Sequence, residues 1–314
     1  MRRTLVALLL LLGALAPACL VLTDLDGLSG GSRDAGTSAP PSDAGADRSP
    51  LGADSSPDGA PARCTVDQPF DRIVRASDLD TSDDDNTAFL GPDELTAWVT
   101  RPNGMVLHER PSTQAAFAPT RTMLAAVPPI TVTVSDDGLE ALYWTNPEVK
   151  LRRTQRASTT VDFPPGVIAV ALNPLEKNVD PYLVPGGGAV WLAAATAATD
   201  AYHLYRAERI PGGFGTATLV DTSGFEAASP VVDDGELAIY FGAYRPDNVG
   251  ASDVFVMTRA DVTRPFDVPR RVTELASGGE EWPRWLSRDR CRLYFLRKTT
   301  DKGNDLFLAS RSPR

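Results

Sequence analysis

From residue 69 onward, short runs of Val, Ile, Leu, Tyr, Trp and Phe alternate with breaks of Gly, Pro and Asp. Such runs predict strands, and almost no helical periodicity accompanies them. One unit recurs: an acidic or glycine turn leads into an apolar strand ending in an aromatic residue. It reads PDELTAW at 92–98, DDGLEALYW at 136–144, GGGAVW at 186–191, DDGELAIYF at 233–241 and RDRCRLYF at 288–295. Its last residues, Trp98, Trp144, Trp191, Phe241 and Phe295, lie 46, 47, 50 and 54 residues apart. A period of about 40–50 residues with several strands per repeat is the signature of propeller blades.

After each aromatic comes an alternating strand: MVLHER at 105–110, VKLRR at 149–153, YHLYRAER at 202–209, DVFVMTR at 253–259 and DLFLASR at 305–311. Further strands are expected at 117–125, 161–171, 214–221 and 265–275, and before each turn, as at 130–134 and 228–232. Four strands per repeat make one blade. The last repeat lacks its outermost strand, and an extra one precedes the first. PFDRIVRASDL at 69–79 aligns with PFDVPRRVTEL at 265–275, with Pro, Phe, Asp, Arg and Leu coinciding at five of eleven positions. The N-terminal strand is therefore expected to complete the last blade, which removes an exposed sheet edge. The expectation is an all-β propeller of five four-stranded blades over residues 65–314; six blades stay open if the longer spacings merge two units.

The fourth repeat resembles the TolB-type, WD40-like propeller repeats of bacterial envelope proteins. The residues carrying the resemblance are Ser229-Pro230-Val231-Val232-Asp233-Asp234-Gly235, Leu237 to Phe241, Asp253-Val254-Phe255 and Pro265-Phe266-Asp267. In the third repeat Pro185-Gly186-Gly187-Gly188 replaces the acidic turn. The resemblance, over 69–312, implies the propeller fold and is poor in functional content, because that family includes partner-binding proteins and protease domains.

The first 18 residues read as a signal peptide: Arg2 and Arg3, an apolar run from Leu5 to Leu15, then Ala16-Pro17-Ala18. The run is shorter than the roughly 20 residues a membrane span needs. Small residues ending in Cys19 resemble a bacterial lipobox, which implies lipidation of Cys19. Leu20 follows where aspartate would favour inner-membrane retention, so the expected location is the outer membrane, on its periplasmic or cell-surface face. Residues 23–62 contain no aromatic residue and are rich in Gly, Ser, Ala, Pro and Asp. That composition suits a flexible tether, and 19–64 is assigned to the lipidated cysteine and linker.

Two cysteines remain, and export permits a disulfide. Cys64 precedes the strand near Pro69, and Cys291 opens a strand of the last repeat. If 69–79 completes that blade, the two strands start at the same end, and a Cys64–Cys291 bond would staple the ring.

Net charge is −10, which disfavours nucleic acid. The two histidines, His108 and His203, leave little room for His-dependent catalysis or zinc sites. Asp78, Asp80, Asp83, Asp84 and Asp85 could hold calcium, although an EF-hand's glycine and distant glutamate are missing; a solvated acidic loop is the plainer reading. Asp136-Asp137 and Asp233-Asp234 are read as turn residues, with a carboxylate pair for glycoside hydrolysis as the sharper alternative. Glu280 and Glu281 are weak candidates of the same kind. Trp282 and Trp285, around Pro283, are read as blade packing or as a stacking surface for sugar or peptide. No catalytic residue and no cofactor is assigned. The expected function is a membrane-anchored module binding an envelope protein, with a carbohydrate-binding or carbohydrate-active propeller as the alternative.

Overall fold

The computed structural model describes residues 63–80, 87–199, 201–299 and 303–313. The signal-peptide region, Cys19, the tether and Asp83 to Asp85 lie outside the described residues. The chain divides into a unit of residues 1–55, also outside them, and a unit of residues 56–314.

The second unit consists of five antiparallel sheets. The first strand in sequence is β1 (Arg72–Arg75). Blade I holds β2 (Thr87–Leu90), β3 (Thr96–Arg101), β4 (Gly104–Glu109) and β5 (Ala118–Met123). Blade II holds β6 (Thr131–Val134), β7 (Glu140–Thr145), β8 (Lys150–Gln155) and β9 (Val167–Ile168). Blade III holds β10 (Lys177–Leu183), β11 (Ala189–Ala195) and β12 (His203–Ile210), edged by β13 (Gly213–Phe214) and β14 (Thr218–Leu219). Blade IV holds β15 (Ala227–Val232), β16 (Ala238–Tyr244), β17 (Ser252–Thr258) and β18 (Arg270–Arg271). Blade V holds β19 (Glu281–Leu286), β20 (Arg292–Thr299) and β21 (Gly303–Ser310), and β1 adds to its outer edge. The first strands β2, β6, β10, β15 and β19 pack on their neighbours around a common axis, so the unit is a five-bladed β-propeller.

Closure follows the expected plan. Strand β1 pairs antiparallel with β21, Arg72 opposite Ser310 and Arg75 opposite Phe307. It runs in the direction of β20, which brings the two cysteines to one end. Cys64 and Cys291 are joined across 227 residues of sequence, with Cα atoms 5.2 Å apart. The outer strands are shorter than the sequence pattern suggested. Pro164 and Pro165 precede β9, and Pro265 and Pro269 precede β18; proline cannot donate to a ladder and confines pairing there to two residues.

One device recurs in every blade. Each turn between first and second strands contains a residue with positive φ: Glu94 (60°), Gly138 (70°), Gly187 (72°), Glu236 (51°) and Arg290 (60°). For a side-chain-bearing residue this region costs about 1–2 kcal/mol. The carbonyl of each accepts a hydrogen bond from the Nε of an arginine at the end of the third strand: Arg110 (2.7 Å), Arg156 (2.7 Å), Arg209 (2.5 Å), Arg259 (2.7 Å) and Arg311 (2.9 Å). Each guanidinium also lies over a phenylalanine, Phe117, Phe163, Phe214, Phe266 or Phe70, with 4.2–4.4 Å to the ring centroid. A cation–π contact contributes about 0.5–2 kcal/mol according to burial. The arginine thus ties the turn to the outer edge of its own blade. In blade V the phenylalanine comes from the far end of the chain.

The backbone N–H groups of these arginines bond Leu95, Leu139, Gly188, Leu237 and Cys291, which sets the structural register. In that register Trp98 and Trp191 fall three residues on, Phe241 and Phe295 four, and Trp144 five. The aromatic markers that revealed the period are therefore not equivalent positions. Trp144 reaches nearer the mouth of the ring than the others do.

Candidate functional site in the axial funnel

Proline sits inside three of the five innermost strands: Pro181 in β10, Pro230 in β15 and Pro283 in β19. At each, the ladder to the next strand slips by one residue. Bulges of this kind re-aim side chains. Here they turn Asp180, Ser229 and Arg284 toward the axis, with Asp180 and Ser229 held at φ of 50° and 55°.

The three form a chain across the ring. The Ser229 hydroxyl donates to Asp180 Oδ2 at 2.7 Å and accepts from Arg284 Nη1 at 2.6 Å. Arg284 Nη1 lies 3.9 Å from Asp180 Oδ1. Blades III and V are not neighbours, so this contact spans the channel. It forms the floor of a funnel of about 420 Å³, within the usual range of ligand sites. Trp144, Tyr202, Tyr244 and Trp282 wall the funnel, and Thr131 borders it. Tyr244 and Trp282 meet edge to face with centroids 5.2 Å apart. The Trp282 ring lies on the backbone of Gly242, where a Cβ would come within 2.2 Å of it.

Below the floor the channel is blocked. Phe89 of blade I and Tyr182 of blade III meet at 5.9 Å, both buried. At the turn end, Arg288 of blade V reaches Asp136 of blade II at 2.6 Å, and Arg290 pairs with Asp233. Arg63 joins that end, donating to Asp234 at 2.6 Å and to the Arg288 carbonyl at 2.7 Å. The funnel opens at the opposite end, where the innermost strands begin.

The funnel floor is electrically balanced. Asp180 and Arg284 sum to zero charge. Burial pulls the Arg284 guanidinium below its usual pKa, with Asp180 pushing the other way. Arg284 Nε, Trp144 Nε1 and Thr131 Oγ1 are buried and have no hydrogen-bond partner. A buried donor without a partner costs about 1–3 kcal/mol, so such groups are rare unless something else meets them.

The solved structures to which the chain is similar include TolB-type propellers. TolB from Acinetobacter baumannii superposes with a TM-score of 0.47 and 12% identity, over 74% of this chain and 56% of that one. A protein assigned as TolB in Agrobacterium tumefaciens gives 0.49 and 12%, over 73% and 77% of the two chains. A nidogen–laminin complex gives 0.44 and 10%, over 68% and 72%. The chain spans little more than half the length of the first of these. None of the protein families or curated proteins compared matches it.

The residues singled out from sequence have other places. Asp78 accepts from the Phe117 backbone N–H at 2.9 Å, and Asp80 pairs with Arg75. Among the described residues no three His, Cys, Asp or Glu side chains converge as metal ligands. Asp137 caps its own turn through the Leu139 N–H, and Asp233 does so through Leu237 and Ala238. Glu281 is fully buried; burial raises its pKa against the pull of Ser277 and Arg297, which it bonds. His108 is buried, and burial together with Arg101 lowers its pKa to about 4. His203 pairs with Ala194 within blade III. Of the tryptophans beside Pro283, Trp282 walls the funnel, while Trp285 is buried against Tyr294. A larger cleft, about 600 Å³, opens between blades I and II, but its Arg156 is a clamp residue and its Asp136 bonds Arg288.

The funnel floor was not foreseen from sequence. Its signal was present in the prolines within apolar strands, which mark bulges.

Proposed function

We propose that this chain is an exported, lipid-anchored binding module of the bacterial cell envelope that takes its ligand in the axial funnel. The observation carrying the binding part is the cross-axis floor of Asp180, Ser229 and Arg284 beneath aromatic walls. Hydrolysis of a glycoside would call for two carboxylates across a bond, about 5–9.5 Å apart. Among the described residues the funnel offers one, Asp180, facing Arg284. The anchoring part is supported by the residue pattern ending at Cys19 and by the tether composition of 23–62. A protein partner is the first reading; a glycan is favoured by the aromatic walls over a polar floor.

A photo-crosslinking residue at Tyr244, with Val262 on the outer part of blade IV as control, tests the site in intact cells. An adduct from position 244 alone, lost in Arg284→Met, supports funnel binding; equal labelling from both positions removes it. Cys19→Ala should move the protein from the membrane to the soluble fraction. Unchanged fractionation removes the anchor.

A further inference from the structure

We propose that the funnel recognises a neutral, hydroxyl-bearing sugar ring, its hydroxyls bound by Arg284 and Asp180 and its apolar face laid against Trp282. This rests on the funnel being the binding site and specifies what enters it. Three observations converge. First, Arg284 uses one hydrogen bond, to Ser229, and its buried Nε has no partner. Asp180 accepts from Ser229 through Oδ2, and its Oδ1 lies 3.9 Å from the Arg284 guanidinium. The floor therefore holds an unpaired donor on Arg284 and an acceptor oxygen on Asp180, and a pair of neighbouring hydroxyls can answer both at once.

Second, the charges cancel. A carboxylate or phosphate entering beside Asp180 would leave a net negative charge in a site already shielded from water, in a chain of net charge −10. A cation would face Arg284 in the same way. A neutral ligand brings no unpaired charge into the site, which is what burial penalises. Third, the walls are aromatic and the funnel is blind. Aromatic faces carry negative electrostatic potential and accept the weakly positive C–H faces of a pyranose. The Phe89–Tyr182 contact below the floor stops a through-going strand, so the occupant is a terminal or single unit. Trp144 Nε1 and Thr131 Oγ1, opposite one another across β6 and β7, give further polar atoms to the same wall.

The test uses full-length protein in detergent, with isothermal titration of cellobiose, maltose, N,N′-diacetylchitobiose and digalacturonate. At least one neutral disaccharide is expected to bind. Arg284→Lys, which keeps the charge facing Asp180 but removes the Nε donor, should weaken that binding at least tenfold, the scale of a lost hydrogen bond to a charged group. Trp282→Ala should weaken it similarly, and Val262→Ser should leave it unchanged. Unaltered circular dichroism and melting temperature establish that the variants fold. Binding of digalacturonate in preference to every neutral sugar overturns the charge argument. No sugar binding, with position 244 still crosslinking to a protein, overturns this inference and leaves the funnel as the site. Neither binding nor crosslinking overturns both.

Discussion

Removing the staple between Cys64 and Cys291 should cost the propeller stability without changing its native structure. The double substitution Cys64→Ala, Cys291→Ala avoids leaving a lone thiol. The bond encloses 227 residues. In the chain-entropy account, a loop of that size withdraws about 18 cal/mol/K from the unfolded chain, or about 5 kcal/mol at 25 °C. The native ring keeps its other closures: the four β1–β21 pairs from Arg72 to Arg75, and Arg311 over Phe70. Near- and far-ultraviolet circular dichroism should thus match the parent. In urea, the midpoint should fall by an amount equivalent to about 5 kcal/mol. The slope should rise, because an uncrosslinked chain exposes more surface on unfolding. A loss under about 1 kcal/mol with unchanged slope would refute the reasoning. It would mean that the ends of the chain stay associated when the blades come apart.

Two further perturbations test the interior. Arg156→Met removes one clamp, with its cation–π contact to Phe163 and bonds to the Gly138 and Val161 carbonyls; a loss of about 3 kcal/mol is expected in urea unfolding. An effect under 0.5 kcal/mol would show that the device is ornamental. His108, with its folded pKa lowered from 6.5 to about 4, takes a proton in the unfolded chain first. Stability present above pH 6.5 should therefore fall as pH drops toward 4, by up to about 3 kcal/mol. Unfolding series of parent and His108→Gln from pH 7 to 4 should diverge over that window, and parallel curves would count against a buried neutral imidazole.

Much of the fold was legible because it is written several times over. The turn, the alternating third strand with its arginine and the closing strand at 69–79 each recur, so chance matches are outvoted. The position of the aromatic within the second strand was less legible. A strand buried on both faces accepts a large ring at several heights, and Trp144 took a different one from Trp191. The funnel was legible only in fragments. Asp180, Ser229 and Arg284 come from three repeats and share no residue type, and a motif search along one dimension does not join them. What they share is a neighbouring proline that breaks the ladder. Carboxylates that drew notice by clustering, such as Asp136-Asp137 and Asp233-Asp234, are spent on turns and ion pairs.

The place of Arg63 has a consequence for traffic around the molecule. It sits on the sealed end of the ring, among the turns of blades IV and V, while the funnel opens at the other end. The first described residue therefore lies on the face of the ring opposite the mouth. A ligand entering at the mouth and a contact made at Arg63 thus address opposite faces of the ring, so one can change without altering what the other meets.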